Sequence, residues 1–149
     1  NLTRLGAEVG LPFAFDKIKR SPNTLDAHRL IRWAGSAGVQ EKVVDRLFKA
    51  YFVEGRDIGD RGVLIDIAGE CGLDAKLVEK LFSEGADADL VRQEIAEAQA
   101  IGVSGVPFFI FAGRLGVPGA QDSSVLRQAM AQARQAMGES ANEAPIASA

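Results

Sequence analysis

Apolar positions along this chain repeat at helical spacing for most of its length, and the period changes once, near residue 103. "NLTRLGAEVGL" places Leu2, Leu5 and Val9 roughly on one face and reads as the end of a helix, with Gly10 as its stop. "LPFAF" follows as a short extended piece held open by Pro12. "SPNTLDAHRLIRWAGSAG" then predicts a helix with Leu30, Ile31, Ala34 and Ala37 as its stripe. It is capped either by Ser21 with Pro22 at the first position, or by Asn23 with Asp26 as a partial capping box. Four more helices carry Val43, Val44, Leu47, Phe48, Tyr51 and Phe52; Val63, Leu64, Ile67, Ala68 and Cys71; Leu77, Val78, Leu81 and Phe82 behind an Asp74 cap; and Leu90, Val91, Ile95, Ala98 and Ile101.

Beyond residue 102, "VPFFIFAGRLGVPGA" has strand residues on both sides of Ala112-Gly113-Arg114, which predicts a β-hairpin. The first strand is apolar at Phe108, Phe109, Ile110 and Phe111, the pattern of a strand covered on both faces. "DSSVLRQAMAQARQAM" closes the pattern as a helix with Val125, Leu126, Ala129, Met130, Ala133 and Met137 on one side. The small, polar stretch 138–149 reads as a disordered tail. No internal repeat is visible. A two-stranded sheet is not stable alone, so a hairpin covered on both faces implies further strands on its open edge. With the chain opening inside a helix at Asn1, this sets the expectation of an N-terminal segment missing from the sequence.

Composition narrows the classes. A chain of 149 residues with 47% hydrophobic and 25% charged residues is one ordinary globular domain, or one with an insertion. A net charge of −3 offers no basic field for nucleic acid, and no run approaches a membrane span or opens as a signal peptide. One cysteine excludes an intramolecular disulfide, in keeping with the cytoplasm. The sequon Asn1-Leu2-Thr3 reads as a chance match, and nothing has metal-ligand spacing.

The sharpest chemical signal is "GVSGVPFFIF", residues 102–111. Pro107 cannot donate to a sheet ladder, and the first residue of a strand is where that loss is tolerated. Spacing alone leaves cis and trans at Val106–Pro107 even; a cis bond would leave Val106 backbone groups free for a peptide-like ligand.

This loop, with a helix before it and "GVPGAQ" plus a helix after it, resembles the C-terminal half of a DsbA-like thioredoxin fold. "SPNTLDAHRLIRWA" and "AYFVEGRDIGD" are similar to the inserted helical domain of its FrnE-type branch, which also holds 2-hydroxychromene-2-carboxylate isomerases and has kappa-class glutathione transferases as relatives. The resemblance runs from Leu11 to about Met137. It implies an α/β, thioredoxin-like fold, N-terminally truncated so that mostly helices and a hairpin remain. Residues 1–21 are then a lead-in, 22–102 the inserted helical domain, 103–137 the C-terminal half of the thioredoxin-like domain, and 138–149 the tail.

The implied activity is thiol–disulfide exchange by the whole protein, with no catalytic residue in this chain and a cis bond at Val106–Pro107. Gly105, Val106, Pro107, Asn23, Thr24 and His28 would bind substrate, the helices covering the groove. Gly119, Ala120, Gln121 and Asp122 would hold the carboxylate of a thiol peptide such as glutathione, a co-substrate rather than a cofactor; the plainer reading is that Asp122 or Ser123 caps the helix. His28 is a general base or, more plainly, a histidine hydrogen-bonded between layers. Cys71 reads as a buried small hydrophobe, and Arg56, Asp57 and Asp60 as turn and capping residues. The alternatives are a glutathione-dependent isomerase or transferase, and a non-catalytic helical interaction module. Expected partners are protein or small thiol and disulfide substrates, with no nucleic acid or membrane, and a second copy through the exposed sheet edge.

Overall fold

A computed structural model describes residues 2–142, with side chains through Gly138. The chain divides into two compact units, Asn1–Ile95 and Ala96–Ala149, and α6 (Ala88–Ala100) runs through the division.

The first unit holds α1 (Leu2–Glu8), a 3₁₀ turn (Phe15–Lys17), α2 (Leu25–Ser36), α3 (Gln40–Phe52), α4 (Arg61–Glu70), α5 (Ala75–Ser83) and the start of α6. Helix α2 packs on α3 and α4, α3 on α4, and α4 on α5. Leu30, Ala34, Val43, Leu47, Leu64, Ile67 and Phe82 close the core between them. The stretch 11–15, expected to be extended, instead turns at Leu11–Phe13, where the Phe13 amide donates to the Leu11 carbonyl at 3.0 Å, and enters the 3₁₀ turn at Phe15. The Ala14 amide ties it to α3 by donating to the Phe52 carbonyl at 2.8 Å. Phe13, Phe15 and Phe52 form an aromatic cluster there, with centroids 5.2–6.1 Å apart.

A charged residue is built into this core. Arg29 is 1% exposed. Its Nε donates to the Ala86 carbonyl at 2.6 Å, Nη1 to Asp26 Oδ1 at 2.6 Å and Nη2 to the Leu81 carbonyl at 2.9 Å. The guanidinium also lies 5.1 Å from the Trp33 ring and 5.2 Å from Phe82. A buried cation is tolerable only when it is paired and hydrogen-bonded, and here each of the three guanidinium nitrogens donates. The Trp33 indole donates to Asp87 Oδ2 at 2.8 Å, from an Asp87 backbone in the left-handed region at φ 57°.

Several expectations shift in this unit. Helix α2 begins at Leu25, not at Pro22, so Ser21 does not cap it. Asn23 Oδ1 accepts from the Leu25 amide at 3.1 Å, while Asp26 turns to Arg29 and Arg61 instead of completing a capping box. Asp74 caps α5 and Asp60 caps α4. Arg56 pairs with Asp66 and Glu70 and so bridges to α4 rather than serving a turn. The predicted stripes are too wide: Phe48 is 59% exposed, and Ala37, Leu77 and Ile95 also face solvent. On α1, Leu2 and Leu5 are exposed and Gly6 is the buried residue; Val9, just past its end, is exposed too.

The second unit holds the end of α6, β1 (Phe108–Phe111), β2 (Leu115–Pro118) and α7 (Ser123–Asn142). The strands pair antiparallel, Phe108 against Pro118 through Phe111 against Leu115, and α7 packs on both. Its buried positions on α7 are Ala129 and Ala133, while Val125, Met130 and Met137, expected on the apolar face, are exposed. Ile110 is exposed, so among the described residues β1 is not covered on both faces. Helix α7 continues to Asn142, past the expected end of order at 137, and 143–149 lie outside the described residues. Among the described residues no helix is long and apolar enough to cross a membrane.

Candidate functional site

The loop at the head of β1 is shaped by its two ends. Behind it, α6 closes with the Val103 amide donating to the Ala98 carbonyl at 3.0 Å. Ahead of it, the Pro107 carbonyl accepts from the Gly119 amide at 2.8 Å, extending the hairpin pairing by one bond beyond Phe108–Pro118. The Val106–Pro107 bond is cis. Val106 is 91% exposed, and among the described residues neither its N–H nor its carbonyl has a partner.

The return strand brings Gly119–Asp122 to the same place. Gly119 has φ 79°, a conformation that glycine adopts without a Cβ clash, and this aims its amide at Pro107. Gln121 Nε2 donates to the Pro118 carbonyl at 2.8 Å. Asp122 opens α7 through its own carbonyl, which accepts from Val125 and Leu126. Among the described residues neither Asp122 nor Ser123 caps the helix with its side chain; Ser123 Oγ accepts from Arg127 Nη1 at 3.2 Å. The second unit therefore gathers Gly105, Val106 and Pro107 with Gly119 through Asp122 around one hydrogen bond.

Asn23, Thr24 and His28 belong to the first unit, at the start of α2. The Thr24 carbonyl accepts from the His28 amide at 3.0 Å, one turn apart as the spacing required. The His28 side chain is exposed and has no hydrogen-bond partner among the described residues, so it is not the interlayer histidine of the plainer reading. Asn23 instead joins residues that sequence reasoning passed over: it lines an open cavity with Asp26, Arg29, Arg61, Asp89 and Arg92. The signal for it was Asp26 and Arg29, three residues apart on one face near the start of a helix.

Cys71 is buried, and its thiol donates to the Lys42 carbonyl at 3.6 Å. Burial pushes the thiol above its ordinary value against the opposing pull of Lys42, the setting of an inert structural cysteine. Among the described residues no group of three or more His, Cys, Asp or Glu could hold a metal.

Comparison with known proteins fits this geometry. Residues 1–131 match the model of the DsbA-like thioredoxin domain. The chain belongs to the DsbA-like thioredoxin domain family. Among solved structures, the probable DsbA oxidoreductase SCO1869 of Streptomyces coelicolor is 34% identical and superposes with a TM-score of 0.75 over 91% of this chain and 58% of its own. Protein YwbO of Bacillus subtilis (strain 168) is 28% identical over 128 residues, covering 85% of this chain and 62% of YwbO. This DsbA-like chain thus spans about three fifths of the length of these relatives. Its seven helices and one antiparallel hairpin, counted over the described residues, agree with a DsbA-like thioredoxin fold carrying many helices.

Proposed function

We propose that this chain is the substrate-binding part of a thiol–disulfide oxidoreductase of the FrnE type. The observation that carries the reading is Val106, with its backbone donor and acceptor both unpaired at the head of a strand whose next carbonyl is fixed by Gly119. An extended substrate segment pairs with such a residue as it would with a neighbouring strand. Membership of the DsbA-like family and likeness to a probable DsbA oxidoreductase support the chemistry.

In that chemistry a thiolate attacks one sulfur of a substrate disulfide, a mixed disulfide forms, and the other sulfur leaves as a thiolate. A second cysteine of the enzyme then attacks the mixed disulfide, freeing the reduced substrate and leaving the enzyme pair oxidised. This chain has one cysteine, and it is buried, so on this reading the reactive pair comes from outside residues 1–149. Gly105, Pro107 and Gly119–Asp122 shape the loop around Val106.

The start of α7 supports a second reading. Its first amides are not capped by Asp122 or Ser123 among the described residues, which suits the carboxylate of glutathione and hence a glutathione-dependent isomerase or transferase. The deciding experiment sequences the gene upstream of Asn1 and assays its longest product. A Cys-x-x-Cys pair with insulin reduction supports the oxidoreductase. A lone serine there, with glutathione-dependent turnover of a 2-hydroxychromene carboxylate, replaces it with the second reading. Insulin reduction by the 149-residue chain alone overturns the external origin of the redox pair.

A further inference from the structure

The starts of α2, α4 and α6 meet around an open cavity of about 560 Å³, large enough for a dipeptide-sized ligand. Three guanidiniums, of Arg29, Arg61 and Arg92, and two carboxylates, of Asp26 and Asp89, line it. Arg29 is spent, since each of its nitrogens donates within the protein. Asp26 is spent too, with Oδ1 taken by Arg29 and Oδ2 by Arg61 Nε at 2.7 Å.

Arg61 is held but not satisfied. Asp26 fixes its Nε edge, and the Phe82 ring lies 5.7 Å from its guanidinium carbon. Its Nη1 and Nη2 have no partner among the described residues, which leaves a planar, pre-positioned donor pair on the cavity wall. Arg92 gives only Nη1 to Asp89, at 2.7 Å, and is otherwise exposed. Asn23 uses its carbonyl oxygen on the Leu25 amide, so its side-chain NH₂ group is available at the rim. Gly59 makes this rim possible: a Cβ there would stand 3.1 Å from the Asn23 backbone.

We propose that this cavity binds a carboxylate, gripped by the Nη edge of Arg61 and by Arg92, with Asn23 donating from the rim. The charge balance selects the class. Three guanidiniums against two carboxylates leave one positive charge, which a monoanion neutralises and a phosphate dianion would overshoot. The fork of an arginine also matches the two oxygens of a carboxylate. A peptide supplies that group either at its C-terminus or on an acidic side chain. The site does not rest on the oxidoreductase reading: its residues all lie in Asn1–Ile95, and its readout is binding, not turnover.

The test titrates the ¹⁵N-labelled 149-residue chain with N-acetyl-Ala-Ala, with its C-terminal amide, with N-acetyl-Glu amide, and with inorganic phosphate. The expected result is saturable movement of the Arg61 Nε and Asn23 side-chain amide signals by one or both carboxylate peptides. Whichever of the two binds more tightly identifies the source of the group. The peptide amide binds at least about tenfold more weakly, since it offers no charge-assisted acceptor. Arg61→Gln raises Kd about tenfold and Arg92→Gln about threefold. Should Arg61→Gln unfold, the exposed Arg92→Gln decides alone. Equal binding of the peptide amide, tighter binding of phosphate, or an unchanged Kd in the folded variants overturns the proposal.

Discussion

The two units of this chain hold themselves together by different means. The first buries branched and aromatic side chains from four helices and adds a buried guanidinium with every nitrogen satisfied. In the second, the residues buried among those described are Ala129 and Ala133, and Val106, Ile110 and Met130 face solvent. Alanines leave room for a helix to lie close to a hairpin, but each removes little apolar surface from water. One unit is thus built around its interior, whereas the other displays backbone groups at Val106 and at the start of α7. Segments that receive ligands are commonly drawn from the less stable end of a structure.

The largest test of that contrast is Arg29→Met. It strands the Ala86 and Leu81 carbonyls and leaves Asp26 with Arg61 alone, and urea unfolding should show a loss of about 3–5 kcal/mol. Arg29→Lys should recover only part of this, because an ammonium cannot reproduce the fork. Next comes a matched pair read the same way: Ile67→Ala, fully buried, should cost about 2–5 kcal/mol. Ile110→Ala, on the exposed side of β1, should stay below about 1 kcal/mol. A comparable loss at Ile110 would break the comparison.

Removing the α5 cap with Asp74→Ala should cost about 1 kcal/mol in thermal or urea unfolding, since two amides lose their acceptor. The smallest effect concerns acid. Burial alone would raise the Asp26 carboxyl, but the hydrogen bonds from Arg61 and Arg29 outweigh it and hold the group below its ordinary value of 3.8. Its contribution is therefore complete above that value and lost as pH falls through the lower, folded-state one. Asp26→Asn should flatten the acid limb of the stability profile below about pH 4 while leaving its slope near neutrality unchanged.

How far the sequence carried this picture follows from what periodicity can encode. Helix positions were legible because Leu30, Val43, Leu47, Leu64, Ile67 and Phe82 recur at helical spacing, and the hairpin because the period changed at residue 103. The width of each stripe was not legible. Phe48 and Leu77 sit at apolar-face spacing yet lie exposed, because burial depends on which neighbour covers a face. Pro107 marked its loop through the missing amide donor, whereas the Gly119–Pro107 bond joins residues twelve apart and had no local trace. Arg29 was overlooked for a plainer reason: composition assigns arginine to the surface, and only the carbonyls of distant Leu81 and Ala86 make its burial tolerable.

Trp33 turns the Arg29 arrangement into an instrument. It is the only tryptophan in the chain, so near-ultraviolet emission excited at the red edge arises from one indole. That ring lies beside Arg29 and has its centroid 5.0 Å from the Phe82 centroid, and Phe82 also carries Arg61 on the cavity wall. Only the Phe82 ring separates the Arg61 guanidinium from the Trp33 indole. On the proposal that this cavity takes a carboxylate, Trp33 emission is expected to respond to its filling without any added dye, and a fluorescence titration with N-acetyl-Ala-Ala checks this.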